Sequence, residues 1–281
     1  MESLKSDSER LIEAISSNSS YNFDQYSEKS FHRRVEKILS DHKLSMDQII
    51  EKLSRDSEFL EEIVKDITVN TTEIFRDTST WLILKEKILY KFADKQVIDI
   101  WHIGCSTGQE VYSTLILLNE LNLFAKSEII ATDLNEDVLK IAEEGIYKFR
   151  EINEFIENYE KVMHCNLSEI KHESGVHYDK YFVVNPKKNL ITIKPLLLNK
   201  AVYRKHDIVN QGNIFNKKFD IIFCRNVLIY FNHELQNRLF EFFYDNLNTD
   251  GVLVIGRHEG MLGDIAYKFI KEESVYIKKV T

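Results

Sequence analysis

The chain of 281 residues holds little glycine, little proline and little cysteine: nine, two and three residues respectively. No glycine or proline precedes Gly104, and both prolines, Pro186 and Pro195, fall in one later segment. Helix breakers are therefore missing from the first third, which can run as uninterrupted helix. The cysteines, Cys105, Cys165 and Cys224, form no C-x-x-C pair and no Cys/His ligand spacing. That pattern suggests neither a disulfide framework nor a metal site, and reads as buried reduced thiols. Positive charge is also short. Lysine and arginine total 37 against 45 acids, a net charge of -8, which argues against a general nucleic-acid binder because phosphate contacts need a basic surface. No apolar run is long enough to span a bilayer, and the opening "MESLKSDSERLIEA" lacks the apolar centre of a signal peptide. A cytoplasmic monomer without membrane insertion is expected. With 43% hydrophobic residues, the chain can bury one large core, or one large and one small.

What is present divides near residue 70. In "SFHRRVEKILSDH" the residues Phe31, Val35, Ile38 and Leu39 fall on one helical stripe, while His32, Arg33, Arg34 and Lys37 lie off it. "SMDQIIEKL" opens with a capping box at Ser45 and Gln48, and "SEFLEEIVKDI" is a further amphipathic period. Residues 1–70 thus read as a domain of three or four short helices. From Val97 the pattern changes to apolar runs alternating with helical periods, the mark of a parallel sheet covered by helices. Strands are predicted at "VIDIWHI", "EIIATD", "AVYRKHD", "FDIIFCRN", "GVLVIG" and "SVYIKKV". "DVLKIAEEGIY" reads as a helix capped by Asn135. The stretch from Phe149 to Lys200, with short strands around a turn at Asn185 and Pro186, reads as a small inserted β subdomain of the domain 71–281.

A parallel sheet binds ligands at the carboxyl ends of its strands. The residues expected there are the loop Gly104 to Glu110, then Asp133, then His206 and Asp207, then Arg225 and Asn226. The loop matches neither the Walker pattern nor G-x-G-x-x-G, and it carries an acid, Glu110, where a phosphate-binding loop carries lysine. Asp133 after the second strand is the residue type that takes ribose hydroxyls. A carboxylate in the loop repels pyrophosphate and attracts a sulfonium or an amino group. The combination asks for an adenosine without phosphates, as in S-adenosylmethionine. Taken singly, Asp133 is equally a helix-capping residue and Glu110 a first-turn acid. Trp101, Tyr112 and Phe223 read as core.

Six separated motifs in order, "SFHRRVEKIL", "NTTEIFRD", "STGQEVYS", "ATDLNEDVLKIAEEGIY", "FDIIFCRNVLIYF" and "DGVLVIG", resemble the chemotaxis receptor methyltransferases, the CheR family. The resemblance runs from about Tyr21 to the last strand. It implies a small helical domain joined to a Rossmann-like α/β domain that binds S-adenosylmethionine, with a β subdomain inserted. It implies a protein-glutamate O-methyltransferase acting on cytoplasmic helices of chemoreceptors and releasing S-adenosylhomocysteine. Carried over residue by residue, Asn70, Thr72 and Arg76 would reach the methionine part of the cofactor. Glu110, Asp133, Asp207, Ile208, Arg225 and Asn226 would line the rest of the pocket. Arg76 and Tyr230 would stand nearest the transferred methyl, and the helix bearing Arg33, Arg34 and Lys37 would meet the receptor.

Two departures bear on this. "GRHEG" differs from the family's Gly-His-Ser-Glu, which touches the expected substrate-facing contacts. The turn "VNPKK" lacks the glycine-rich loop of members that tether to a receptor's C-terminal pentapeptide, so no tether is expected. The rival readings are a cofactor-binding sensor or docking protein with little catalysis, and a methyltransferase for another protein or a small molecule.

Overall fold

The computed structural model describes residues 5–148, 152–164 and 177–280. Cys165 lies outside them, as does part of the inserted segment. Four helices form the first unit: α1 (Asp7–Asn18), α2 (Glu28–His42), α3 (Met46–Leu53) and α4 (Ser57–Ile67). Ser45 and Gln48 make the expected reciprocal cap of α3. The α2 stripe packs inward, with Phe31, Val35 and Ile38 each at most 2% exposed and Leu39 against the same core. A segment without regular structure, residues 69–73, leads to α5 (Thr78–Ile83) and the second unit.

That unit is built in the order β1 (Ile98–Ile103), α6 (Gln109–Glu120), β2 (Ser127–Asp133), α7 (Glu136–Glu144), β3 (Ile146–Lys148) and α8 (Ile152–Met163). There follow β4 (Phe182–Asn185), β5 (Leu190–Ile193), β6 (Ala201–Lys205), β7 (Phe219–Cys224), α9 (His233–Asn246), β8 (Leu247–Ile255), β9 (Phe269–Glu272) and β10 (Val275–Lys278). The main sheet runs β6-β2-β1-β7-β8-β10-β9. It is parallel from β6 to β8, and its two last strands are antiparallel. The chain winds outward from β1 through β2 to β6, then returns to place β7 on the other side of β1. The strand order therefore reverses between β1 and β7, where a crevice forms at the strands' carboxyl ends. Trp101, Tyr112 and Phe223 are buried core residues, as read from the sequence.

Two boundaries differ from expectation. The helix predicted over "DVLKIAEEGIY" stops at Glu144, because Gly145 takes the left-handed conformation (φ 61°) and its N–H closes on Ile141 O. Ile146 and Tyr147 then enter β3, which pairs with β5, so the small β3-β5-β4 sheet takes an edge strand from before Phe149. β9 was not predicted: "FIKE" is too short and too mixed to show a two-residue period. The turn at Asn185 and Pro186 joins β4 and β5 as expected.

Candidate active site

The loop after β1 is shaped by close approaches. Gly104 has φ 69°, and a Cβ there would come within 2.4 Å of Val227 Cγ2; Gly108 has φ 87°, and a Cβ would lie 2.7 Å from that of Ala142. Only glycine meets both demands at either position. The loop therefore folds tightly over the crevice, and Glu110 enters at the first turn of α6.

Glu110 is not a free anion. One oxygen lies 2.9 Å from His102 Nδ1, which must be the donor because an ionised carboxylate only accepts, and the other takes Arg225 NH1 at 3.1 Å. Burial alone would raise its pKa, but the His102 hydrogen bond and the Arg225 charge outweigh this and hold the carboxyl below its ordinary value. Arg225, 6% exposed, also pairs with Asp77 at 2.9 Å and donates to Arg76 O at 2.8 Å. Trp81 Nε1 donates to the same Arg76 carbonyl at 2.9 Å. The Arg76 backbone is thus gripped from two sides, while its side chain makes no ion pair among the described residues and donates only to Thr71 O. Arg225, 115 residues away in the chain, thus already balances the loop carboxylate, a pairing the sequence does not show.

Asp133 closes the next corner. Its carboxylate accepts the amides of Ser106 (2.8 Å) and Asn135 (2.9 Å), so it ties the β1 loop to the start of α7. Burial pushes its pKa up, and those amide bonds offset only part of the rise. The local helix-end role is therefore real, and each oxygen keeps a further lone pair for a ligand. Asp207 is similarly engaged, accepting Val209 N–H at 2.9 Å and Asn210 Nδ2 at 2.8 Å.

These groups surround one cavity of about 990 Å³, open mouth included. From the linker, Asn70, Thr72 and Arg76 line it; from the sheet ends come Glu110, Asp133, Asp207, Ile208, Arg225 and Asn226; Tyr230 stands beside Asn226 and Val227. The structure brings every sequence-predicted site residue to this wall. Two participants were missed, and a third, Ser106, was expected only as part of the loop Gly104 to Glu110. His102, fully buried, stacks on Phe223 with centroids 4.3 Å apart and holds Glu110. Ser106 Oγ is buried in the wall without a hydrogen-bond partner. Tyr26 enters from the helical unit, its hydroxyl pushed well up by burial, with Asp207 and Asp133 adding to the shift. Tyr26 precedes the first motif, in a stretch with no periodicity, and nothing in the sequence marks it.

The chain matches the family described as CheR methyltransferase, SAM binding domain, over residues 70–276, and its companion, the CheR methyltransferase all-alpha domain, over residues 6–68. It belongs to the CheR methyltransferase family. Among named relatives it is 32% identical over 252 residues to the putative methyltransferase Cher3 of Pseudomonas putida, covering 89% of this chain and 87% of that one. It is 32% identical over 219 residues to the chemotaxis protein methyltransferase of Borreliella burgdorferi, covering 74% and 71%. The corresponding protein of Listeria innocua is 28% identical over 245 residues, covering 86% and 85%. Of solved structures, the plantazolicin methyltransferase BpumL in complex with a pentazolic analogue and SAH overlaps 74% of this chain and 56% of its own, at 15% identity and a TM-score of 0.35. That likeness is too low to carry an argument.

This CheR-family chain is an S-adenosylmethionine-dependent methyltransferase. Its cavity suits that cofactor: acids line it, no lysine does among the described residues, and the unpartnered Ser106 hydroxyl awaits a polar atom. No described helix is long and apolar enough to cross a membrane.

Proposed function

We propose that the protein methylates glutamate carboxylates on the cytoplasmic helices of chemoreceptors, giving glutamyl methyl esters. The observation that carries this reading is a second groove, lined by Ser30, Arg33, Arg34, Lys37, Ile229 and Tyr230, that shares Tyr230 with the cofactor cavity. A cationic track leading to the mouth of a methyl-donor site suits an acidic helical substrate. Lys37 pairs with Asp41 at 2.8 Å, so Arg33 and Arg34, which make no ion pair among the described residues, are the cations free to meet it.

The chemistry needs no general base. A glutamate carboxylate, with a solution pKa of about 4.3, is ionised at neutral pH and is already the nucleophile. The bound cofactor supplies an electrophilic methyl on a sulfonium. The protein's task is to hold the carboxylate oxygen in line with that methyl, a contribution of proximity and orientation. Arg76 and Tyr230 stand at the cavity mouth to do so. Arg76→Ala and Tyr230→Phe are each expected to lower turnover on receptor while the melting temperature stays near that of the parent protein; full turnover in either variant would remove the assigned role.

The basic track makes a separate prediction. Arg33→Glu with Arg34→Glu should raise the KM for receptor at low salt and leave S-adenosylhomocysteine affinity unchanged. The difference from the parent should shrink as salt rises, because the Debye length falls from roughly 10 Å at 0.1 M to 3 Å at 1 M. Parent-like kinetics at low salt would leave these arginines as a solvated face. The reading also dispenses with a pentapeptide tether, supported by the short β4–β5 turn. Receptor lacking its last five residues should be methylated as fast as intact receptor, and a marked slowing would reverse this.

A further inference from the structure

Outside the lining of the cavity, a single carboxylate gathers the backbone of the segment that carries Asn226 and Tyr230. After β8 the chain turns at Gly256, and Glu259 folds back against the end of β7. Glu259 Oε2 accepts the N–H of Asn226 at 3.0 Å and of Gly256 at 2.5 Å, and Oε1 accepts the N–H of Ile229 at 3.1 Å. The bonds to Asn226 and Ile229 bracket the start of the helical turn Leu228–Tyr230. Asn226 itself is left-handed, φ 60°, a conformation a non-glycine residue keeps only when its surroundings hold it. Gly256 leaves no room for slack: a Cβ there would lie 2.8 Å from Asn226 Nδ2, 2.8 Å from Glu259 Oε2 and 2.9 Å from Asn226 N. Glu259 and Gly256 are not among the residues lining the cavity, whereas Asn226, Val227 and Tyr230 are. The "GRHEG" stretch, read from sequence as substrate-facing, thus turns its acid inward; Arg257 and His258 remain exposed.

We propose that Glu259 is a positioning residue that fixes Asn226 in the cofactor wall and Tyr230 at the cavity mouth. Only a carboxylate accepts at both ends, which is what amides converging on its two oxygens require. Glutamine of the same size turns an NH2 toward one set of donors and leaves an amide unpaired. The segment should then drift from its left-handed start, and both the cofactor wall and the mouth lose registration.

The turnover arm of the test rests on the reading of Tyr230 given above; the binding arm does not. Calorimetry of Glu259→Gln with S-adenosylhomocysteine should keep a stoichiometry near one and weaken affinity about tenfold. With receptor and saturating S-adenosylmethionine, kcat should fall at least tenfold and the receptor KM should change less than twofold. Either loss at full stoichiometry supports positioning, and a binding loss stands even if the parent enzyme methylates no receptor. Parent-like affinity and kcat, or a reduced stoichiometry with parent-like constants for the folded fraction, would overturn it. Should Glu259→Gln fail to fold, Gly256→Ala decides, since its Cβ presses on the same atoms: the same losses support the proposal, and parent-like binding with parent-like turnover overturns it.

Discussion

Arg225→Met is expected to remove about 3 to 5 kcal/mol of folding stability, the cost of leaving buried charge without its partner. The magnitude follows from what would remain. Glu110 and Asp77 both lean on this guanidinium, at 3.1 Å and 2.9 Å, and their side chains are 12% and 20% exposed. With the cation gone, His102 still holds one oxygen of Glu110, and Asp77 has lost its ion pair. The carbonyl of Arg76 would lose one of its two donors, so cofactor binding should weaken along with stability. The pH dependence has a definite sign. The folded-state pKa of Glu110 lies below its unfolded value, so the stability it lends is present above the unfolded pKa and lost as pH falls through the folded one. In Arg225→Met one of the two offsets to burial is missing, and acid unfolding should begin at higher pH. Urea titrations of both proteins across the acid range measure both effects; a variant within about 1 kcal/mol of the parent would mean the pair contributes no more than a surface bridge.

Asp133→Ala carries the next largest effect, on binding. A ribose hydroxyl deprived of its acceptor, and the Ser106 and Asn135 amides deprived of theirs, should weaken S-adenosylhomocysteine binding by about 1 to 3 kcal/mol. Ionised, Asp133 would offer acceptor lone pairs on both oxygens to a ribose, whereas protonation would turn one oxygen into a donor. Its pKa is raised by burial, so the parent's affinity should begin to fall on acidification at a higher pH than a solution aspartate would dictate. Calorimetry at neutral and mildly acid pH reads both. Unchanged affinity in Asp133→Ala would leave this residue a helix-end acceptor and nothing more.

The two-unit organisation was legible because its signals are local. A capping box spans four residues, the α2 stripe nine, and the strand ends announce the crevice once the sheet is recognised as parallel. The polar network around Glu110 was not legible, since His102 reads as one more residue in an apolar strand and Arg225 lies just past the end of another, β7. Tyr26 escaped for a related reason. It reaches the cavity because the Gln25–Ser27 stretch hydrogen-bonds to Tyr230 and Asn232, a contact across the two units that no spacing encodes. Glu259 was visible as a residue, yet its role was not, because whether an acid after a strand faces solvent or backbone depends on the turn at Gly256. Motif reading finds the residues that line the cavity and passes over those that hold them still.

The central claim is glutamate methylation of chemoreceptors, and one incubation addresses it directly. The purified protein is mixed with methyl-labelled S-adenosylmethionine and membranes containing the organism's chemoreceptors, and the products are separated and treated with mild base. A receptor band whose label is released by base is the expected result, because carboxylate methyl esters hydrolyse there and methyl groups on nitrogen do not. Label that resists base, or that appears on other proteins while the receptors stay unlabelled, would contradict the account.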